Sequence, residues 1–281
     1  MNQFWSTILL STVAGLATGL GGLIAIIRKP GKRSFGLLMG GTAGVMITLA
    51  FMELMNEAWE MGGFLIATLG FTAGAIFMFA VDVLIPHMRF GEAEVHSSKV
   101  EVPSTADWDF RVASHRHRRR HHWFRRTVTP IDRGLFKTGI LVAIGIAIHN
   151  MPEGIAVGAG YAHTPQFGIF IAIAIALHNI PEGIATALPL CKSGVCRWDA
   201  FKVALLSGLT EPIGALLAIT VLTAFESLIP AALAFAGGVM TFITLDELIP
   251  TAREHGHQHY TAIGIILGAI FVFILSGIFG V

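Results

Sequence analysis

Hydrophobic residues in this chain gather into eight long runs, at about 4–27, 34–57, 62–86, 134–160, 166–189, 200–225, 228–252 and 259–280. Each run is near the ~20 residues a helix needs to cross ~30 Å of hydrocarbon. None carries the polar face that a helix on a soluble domain shows to water. The pattern predicts an all-α integral membrane protein of eight transmembrane helices. The first run lacks a basic leader, so it reads as a span and not as a removable signal. Small residues punctuate the runs (Gly15, Gly19, Gly21 and Gly22; Gly40, Gly41 and Gly44; Gly237 and Gly238), and such residues let membrane helices approach closely. Composition agrees with this class. The 281 residues are 54% hydrophobic and 13% charged, against roughly 25% charged in soluble domains.

Charge then orients the spans. Arg28, Lys29, Lys32 and Arg33 lie between the first two runs. Eleven basic residues from Arg89 to Lys137 lie between the third and fourth or just inside the latter. Lys192, Arg197 and Lys202 border the fifth connection, and Arg253 the seventh; together these are all 19 Lys and Arg. The alternate connections (58–62, 161–165 and 226–227) have none. The positive-inside rule therefore places the basic loops in the cytoplasm and both termini outside. The membrane is expected to be a plasma membrane, the inner one in a Gram-negative cell. A net charge of +1 with basic residues confined to loops predicts a lipid bilayer as partner and no nucleic acid.

The organisation follows: 1–86 for the first three helices, 87–133 for a polar cytoplasmic loop, 134–189 for helices four and five, and 190–281 for helices six to eight. The loop has too few apolar residues to fold alone and is expected to be mobile. Its arginines suit anionic lipid, and His115, His117, His121 and His122 suit gathering of cytosolic metal. His255, His257 and His259, on the same side, invite the same two readings. Cys191 and Cys196 stand alone and imply neither a disulfide framework nor a metal site.

The chain also repeats itself. Gly44-Val45-Met46, Glu53-Leu54 and Ala58 recur as Gly238-Val239-Met240, Glu247-Leu248 and Ala252, and Gly15, Leu16 and Gly21 recur as Gly208, Leu209 and Gly214. By the topology above, the equivalent helices run in opposite directions. The result is a 3+2+3 arrangement, an inverted repeat of helices one to three and six to eight about the central pair, as in many secondary transporters.

The central pair carries the chemistry. His149-Asn150-Met151-Pro152-Glu153-Gly154 recurs as His178-Asn179-Ile180-Pro181-Glu182-Gly183. Each His and Glu are four apart, hence on one helix face. Counting back from the turn at 163–165, the two motifs fall within roughly 5 Å of the same depth at 1.5 Å per residue. Pro152 and Pro181 are expected to kink the helices and free the carbonyls of Ile148 and Leu177, with Gly154 and Gly183 loosening the same turns. Ionisable groups at that depth cost several kcal/mol unless partnered. With Glu211 on the sixth helix there are three carboxylates and no Lys or Arg nearby, so protons or metal ions must compensate. Imidazole with carboxylate suits Zn²⁺, Fe²⁺, Mn²⁺ or Cd²⁺ better than Mg²⁺ or Ca²⁺.

With the doubled motif, Ser207-Gly208-Leu209 before Glu211, Asp246-Glu247-Leu248-Ile249-Pro250, Met52-Glu53-Leu54-Met55 and the stretch from Asp82 to His87, the chain resembles the ZIP (Zrt/Irt-like) divalent metal transporter family, most closely its bacterial ZupT-type branch. The resemblance covers all but the loop 87–133. It implies no catalytic residue; it implies uptake of zinc, with iron, manganese or cadmium as further cargo, into the cytosol, a homodimer, and an elevator-like movement. It also implies a first metal site of His149, Glu153, His178 and Glu182, and a second in which Asn150, Asn179 and Glu211 join the bridging Glu153 and Glu182. Some relatives have Gln in place of His178 or Asp in place of Asn179; the neutral Asn179 here makes the second site less anionic. Met46 would line the first site, with Glu53, Asp246 and Glu247 along the pathway. From another class, an intramembrane metal-dependent hydrolase would use the same ligands to activate water. That reading lacks a His-Glu-x-x-His motif or a nucleophile elbow. A metal sensor or store is a third reading.

Overall fold

A computed structural model describes residues 3–28, 30–84 and 132–281, and these are helical apart from short connections. The polar stretch with His115, His117, His121 and His122 lies outside the described residues. Helix α1 spans Gln3–Ile27, α2 Lys32–Thr48 and α3 Met55–Leu84, with a π-helical turn at Leu49–Leu54 between the last two. Helix α4 spans Arg133–His163 and α5 Pro165–Lys192. Helix α6 spans Arg197–Gly208 and α7 Glu211–Leu222; α8 (Ile229–Ile243) continues through a second π turn at Thr244–Leu248 into α9 (Ile249–His255), and α10 spans Gln258–Phe279. Among the described residues, seven helical stretches are long and apolar enough to cross a membrane.

One of those stretches, Lys32–Leu84, is 53 residues long, over twice the ~20 needed. It reverses at Gly63, whose φ of 75° and ψ of 168° form a conformation open essentially to glycine alone. Contacts along α8 trace the reversal. A Cβ on Gly237 would meet the Ala50 carbonyl, one on Gly62 would meet Pro230, and one on Gly238 would meet the Phe71 carbonyl. The chain thus descends α8 and climbs it again. The turn expected at 58–62 is helical instead, and the reversal falls one residue later, at Gly63.

The helices pack as two groups. Helices α1, α4, α5, α6 and α7 pack on one another, as do α2, α3, α8, α9 and α10, and the groups meet mainly along α4 against α8 and α2 against α5. Both groups are built on glycines whose missing side chains admit a neighbour's backbone. These contacts recur in pairs. Gly44 faces the Ile265 carbonyl as Gly238 faces that of Phe71, and Gly74 faces that of Phe235 as Gly268 faces that of Gly41. In every case both partners shift by 194 residues (238 less 44, 265 less 71). In the other group Gly154 faces Glu211 as Gly183 faces Thr18, and Gly21 faces Ile180 as Gly214 faces Met151. Gly15 and Gly208 face each other, which places their contact on the axis relating the halves. Along α1 and α6, Gly15 meets Gly208, Gly19 meets Leu205 and Gly22 meets Ala204. One number rises while the other falls, so these helices are antiparallel.

Two ends can be distinguished. At one, the backbone N–H of Asp132, before α4, donates to the Ser193 carbonyl, after α5, at 2.9 Å. At the other, Gln3 Nε2 donates to the Tyr161 carbonyl at 3.3 Å, beside the turn between α4 and α5. There the Thr164 hydroxyl caps α5 by accepting from the Phe167 N–H at 3.2 Å, with Pro165 pre-set for the first turn.

Candidate metal site

Helices α4 and α5 run antiparallel from a one-residue turn, so their motifs meet at mid-length. They pair crosswise. His149 Nε2 lies 3.2 Å from Glu182 Oε2, and His178 Nε2 lies 3.0 Å from Glu153 Oε1. Each histidine thus engages the carboxylate of the other motif copy and not the one on its own helix face. All four residues are at most 2% exposed. Ligand atoms of His149, Glu153 and Glu182 lie within 4.8 Å of one another, and His178 adjoins them through Glu153.

The helices run on through Pro152 and Pro181 as single helical segments. Gly154 and Gly183 bring α7 and α1 against the motifs, since a Cβ at Gly154 would sit 2.0 Å from the Glu211 carbonyl and one at Gly183 1.8 Å from that of Thr18. Glu211 arrives by a different device. The sixth apolar run is broken between Gly208 and Glu211, where Pro212 cannot donate a backbone bond, and Glu211 opens α7 fully buried.

The asparagines are held by backbone carbonyls across the group. Asn150 Nδ2 donates to the Ser207 carbonyl at 3.2 Å, and Asn179 Nδ2 donates to the Ala14 carbonyl at 3.0 Å and to Glu211. With both amide nitrogens committed, both amide oxygens are left facing inward. Asn150 Oδ1, Asn179 Oδ1, Glu153 Oε2, Glu182 Oε1, Glu211 Oε2 and both histidine Nδ1 atoms have no hydrogen-bond partner within the protein. Buried polar atoms without a partner are rare. Among the described residues no Lys or Arg is buried. Carboxylate, amide and imidazole groups buried together without a cationic side chain offer nitrogen and oxygen in the mixture that Zn²⁺ accepts.

The remaining expected residues fall around this centre. Thr42 donates to the His178 carbonyl at 3.4 Å, and fully buried Met46 lies one turn further along α2. Glu53 and Glu247 occupy the two π turns, both under 9% exposed. Glu247 lies within electrostatic reach of His149, Asp82, Asp246 and Glu182. His255, His257 and His259 are exposed at the α9–α10 junction, away from the buried centre, with the rings of His257 and His259 5.7 Å apart. Two features escaped the sequence reading. One is an ion pair between the groups, His163 Nε2 to Glu57 Oε1 at 2.7 Å. The other is the hydroxyl of Thr18, fully buried and without a protein partner. The 193-residue offset that aligns Gly15 with Gly208 also aligns Thr18 with Glu211, and that signal would have found it.

Fold and centre together define a polytopic membrane protein with imidazole and carboxylate groups sequestered at the heart of its helices. The profile of the ZIP zinc transporter family matches residues 57–276. The chain belongs to that family, one of transporters and not of enzymes, which sets the hydrolase reading aside. It is similar to the zinc transporter ZupT of Chlorobium luteolum, 36% identical over 95% of this chain and 96% of that one. The ZupT of Corynebacterium efficiens is 38% identical over 97% of each. The zinc transporter ZTP29 of Arabidopsis thaliana is 34% identical over 92% of this chain and 89% of its own.

Proposed function

We propose that the protein carries Zn²⁺ across the membrane into the cytosol, with His149, Glu153, His178 and Glu182 as the first set of ligands. Asn150, Asn179 and Glu211 form an oxygen-rich second position sharing Glu153 and Glu182. The observation that carries this reading is the crosswise pairing of two histidines with two glutamates, each lacking a second partner in the protein. A divalent ion replaces the proton each pair would otherwise share, and neutralises carboxylates that no side chain neutralises.

Eight spans in a 3+2+3 inverted repeat fit the reversal at Gly63 and the paired glycine contacts. The basic loops then lie in the cytoplasm and both termini outside. The two helix groups supply the moving parts. Helices α1 and α4–α7 hold every ligand and shift as an elevator past α2, α3 and α8–α10, alternately opening the site to each side. Met46, Glu53, Asp246 and Glu247, on the second group, line the route, and the exposed histidines at 255, 257 and 259 collect metal at its cytoplasmic mouth. The protein works as a homodimer. Fe²⁺, Mn²⁺ and Cd²⁺ satisfy the same ligands less selectively.

The test is Zn²⁺ flux into proteoliposomes of purified protein, with those ions as competitors. His149→Ala and Glu182→Ala abolish flux while the protein still elutes as a folded species. Undiminished flux in both would refute the site.

A further inference from the structure

The symmetry that duplicates the glycine contacts makes one substitution visible at the site itself. Glu211 packs against Gly15, where a Cβ would lie 3.6 Å from its carboxyl carbon; Thr18 packs against Gly208, where a Cβ would lie 2.9 Å from its hydroxyl. The two glycines are equivalent and touch across the axis, so Thr18 stands where the symmetry would put a second Glu211. Its surroundings are duplicated as well. Asn179 anchors on the Ala14 carbonyl beside Glu211, and Asn150 anchors on the Ser207 carbonyl on the equivalent side. Asn179 donates to Glu211, whereas Thr18 Oγ1 and Asn150 Oδ1 both have no partner in the protein.

We propose that Thr18 is a specificity-determining residue of the transport site, the neutral counterpart of Glu211. Its hydroxyl holds a water of the cargo ion in the place a carboxylate would otherwise fill. This inference rests on the metal-site reading above. A threonine side chain is two bonds shorter than a glutamate, so the hydroxyl stops short of the position that Glu211 reaches, and water bridges the remainder. One flank of the oxygen-rich position therefore supplies charge and the other only a dipole. An ion held by charge on one flank and by water on the other is bound firmly enough to enter and loosely enough to leave. A second carboxylate would favour harder, oxygen-seeking ions such as Mn²⁺ over Zn²⁺.

Full-length protein carrying Thr18→Val, Thr18→Ser or Thr18→Asp is compared with wild type by equilibrium dialysis against Zn²⁺ and by flux with Mn²⁺ as competitor. Thr18→Val keeps the side-chain shape and removes the hydroxyl; its weaker class of bound Zn²⁺ loses about tenfold in affinity, as removing an outer-sphere partner does. Thr18→Ser restores it. Thr18→Asp lowers KM and kcat together and moves the Zn²⁺/Mn²⁺ preference toward Mn²⁺. A purely structural role would lower the melting temperature of Thr18→Val without moving the preference in Thr18→Asp. If His149→Ala abolishes flux but all three Thr18 variants bind and select as wild type does, the role of Thr18 is refuted and the site stands. If His149→Ala transports normally, the site itself is refuted.

Discussion

Replacing Gly183 with alanine should cripple the transporter through a contact that has nothing to do with metal chemistry. The added methyl would sit 1.8 Å from the Thr18 carbonyl oxygen, 2.7 Å from its carbon and 2.9 Å from the Gly22 nitrogen, where ordinary contact begins at 3.4 Å. All three are backbone atoms, so no side chain can swing away. Relief requires α1 and α5 to separate by about 1.5 Å, three times the ~0.5 Å within which a functional constellation must be held. Glu182 is the neighbouring residue and His178 lies just over one turn away, so the proposed ligands move with the helix. Overpacking of this kind costs about 1–3 kcal/mol or more, against a gain of up to ~1 kcal/mol from alanine's helix propensity. The expectation is a lower melting temperature in detergent and Zn²⁺ flux reduced at least tenfold. Gly154→Ala, the symmetry-related change against Glu211 at 2.0 Å, should behave alike. Gly277→Ala, in a helix with nothing within 4 Å, is the control and should be neutral or slightly stabilised. A Gly183→Ala protein with wild-type melting and flux would refute the packing account of the motif glycines.

Gly63→Ala meets no neighbouring atom, yet forces a methyl-bearing residue into φ of 75°, so it should lose about 1–3 kcal/mol, read as a drop in melting temperature, with no change in the KM of the surviving protein. Glu57→Gln and His163→Gln remove the ion pair that bridges the helix groups at the end opposite Asp132 and Ser193. If the groups separate there during transport, a Glu57→Cys/His163→Cys pair in a Cys191→Ser/Cys196→Ser background should block flux on oxidation and release it on reduction; undiminished flux in the oxidised form would count against that movement. Metal binds the unprotonated imidazole, so Zn²⁺ affinity at His149 and His178 should fall as pH falls and rise as pH rises toward neutrality, checked by dialysis across pH 5–8.

Membrane class and the motif pair were legible in the sequence because each has a one-dimensional signature. A run of about 20 apolar residues is sufficient to mark a span, and a histidine and glutamate at i and i+4 within such a run are conspicuous because lipid penalises them. What ran along one helix was read correctly as sharing a face. What crosses between helices was not available. Spacing placed each His and the Glu of its own motif on one helix face; the structure pairs His149 with Glu182 and His178 with Glu153, because antiparallel helices run the two motifs past each other in opposite order. The prolines of the motifs sit within single helical segments. The real breaks fall before Pro212 and at Gly63.

The sequence by itself determined the apolar runs, the confinement of the basic residues to alternate connections, and the residue types from which a zinc-competent site can be made, since these depend only on composition along a line. Tertiary structure decided which atoms face one another. It turned the amide oxygens of Asn150 and Asn179 inward by engaging their nitrogens with Ser207 and Ala14. It gave Gly154 and Gly183 their purpose as points of backbone contact, and it set Thr18 opposite Glu211 across an axis that no local pattern contains. The physical reason is range: burial and helix periodicity act over a few residues, whereas the partners of a buried lone pair are chosen by the packing of helices far apart in the chain.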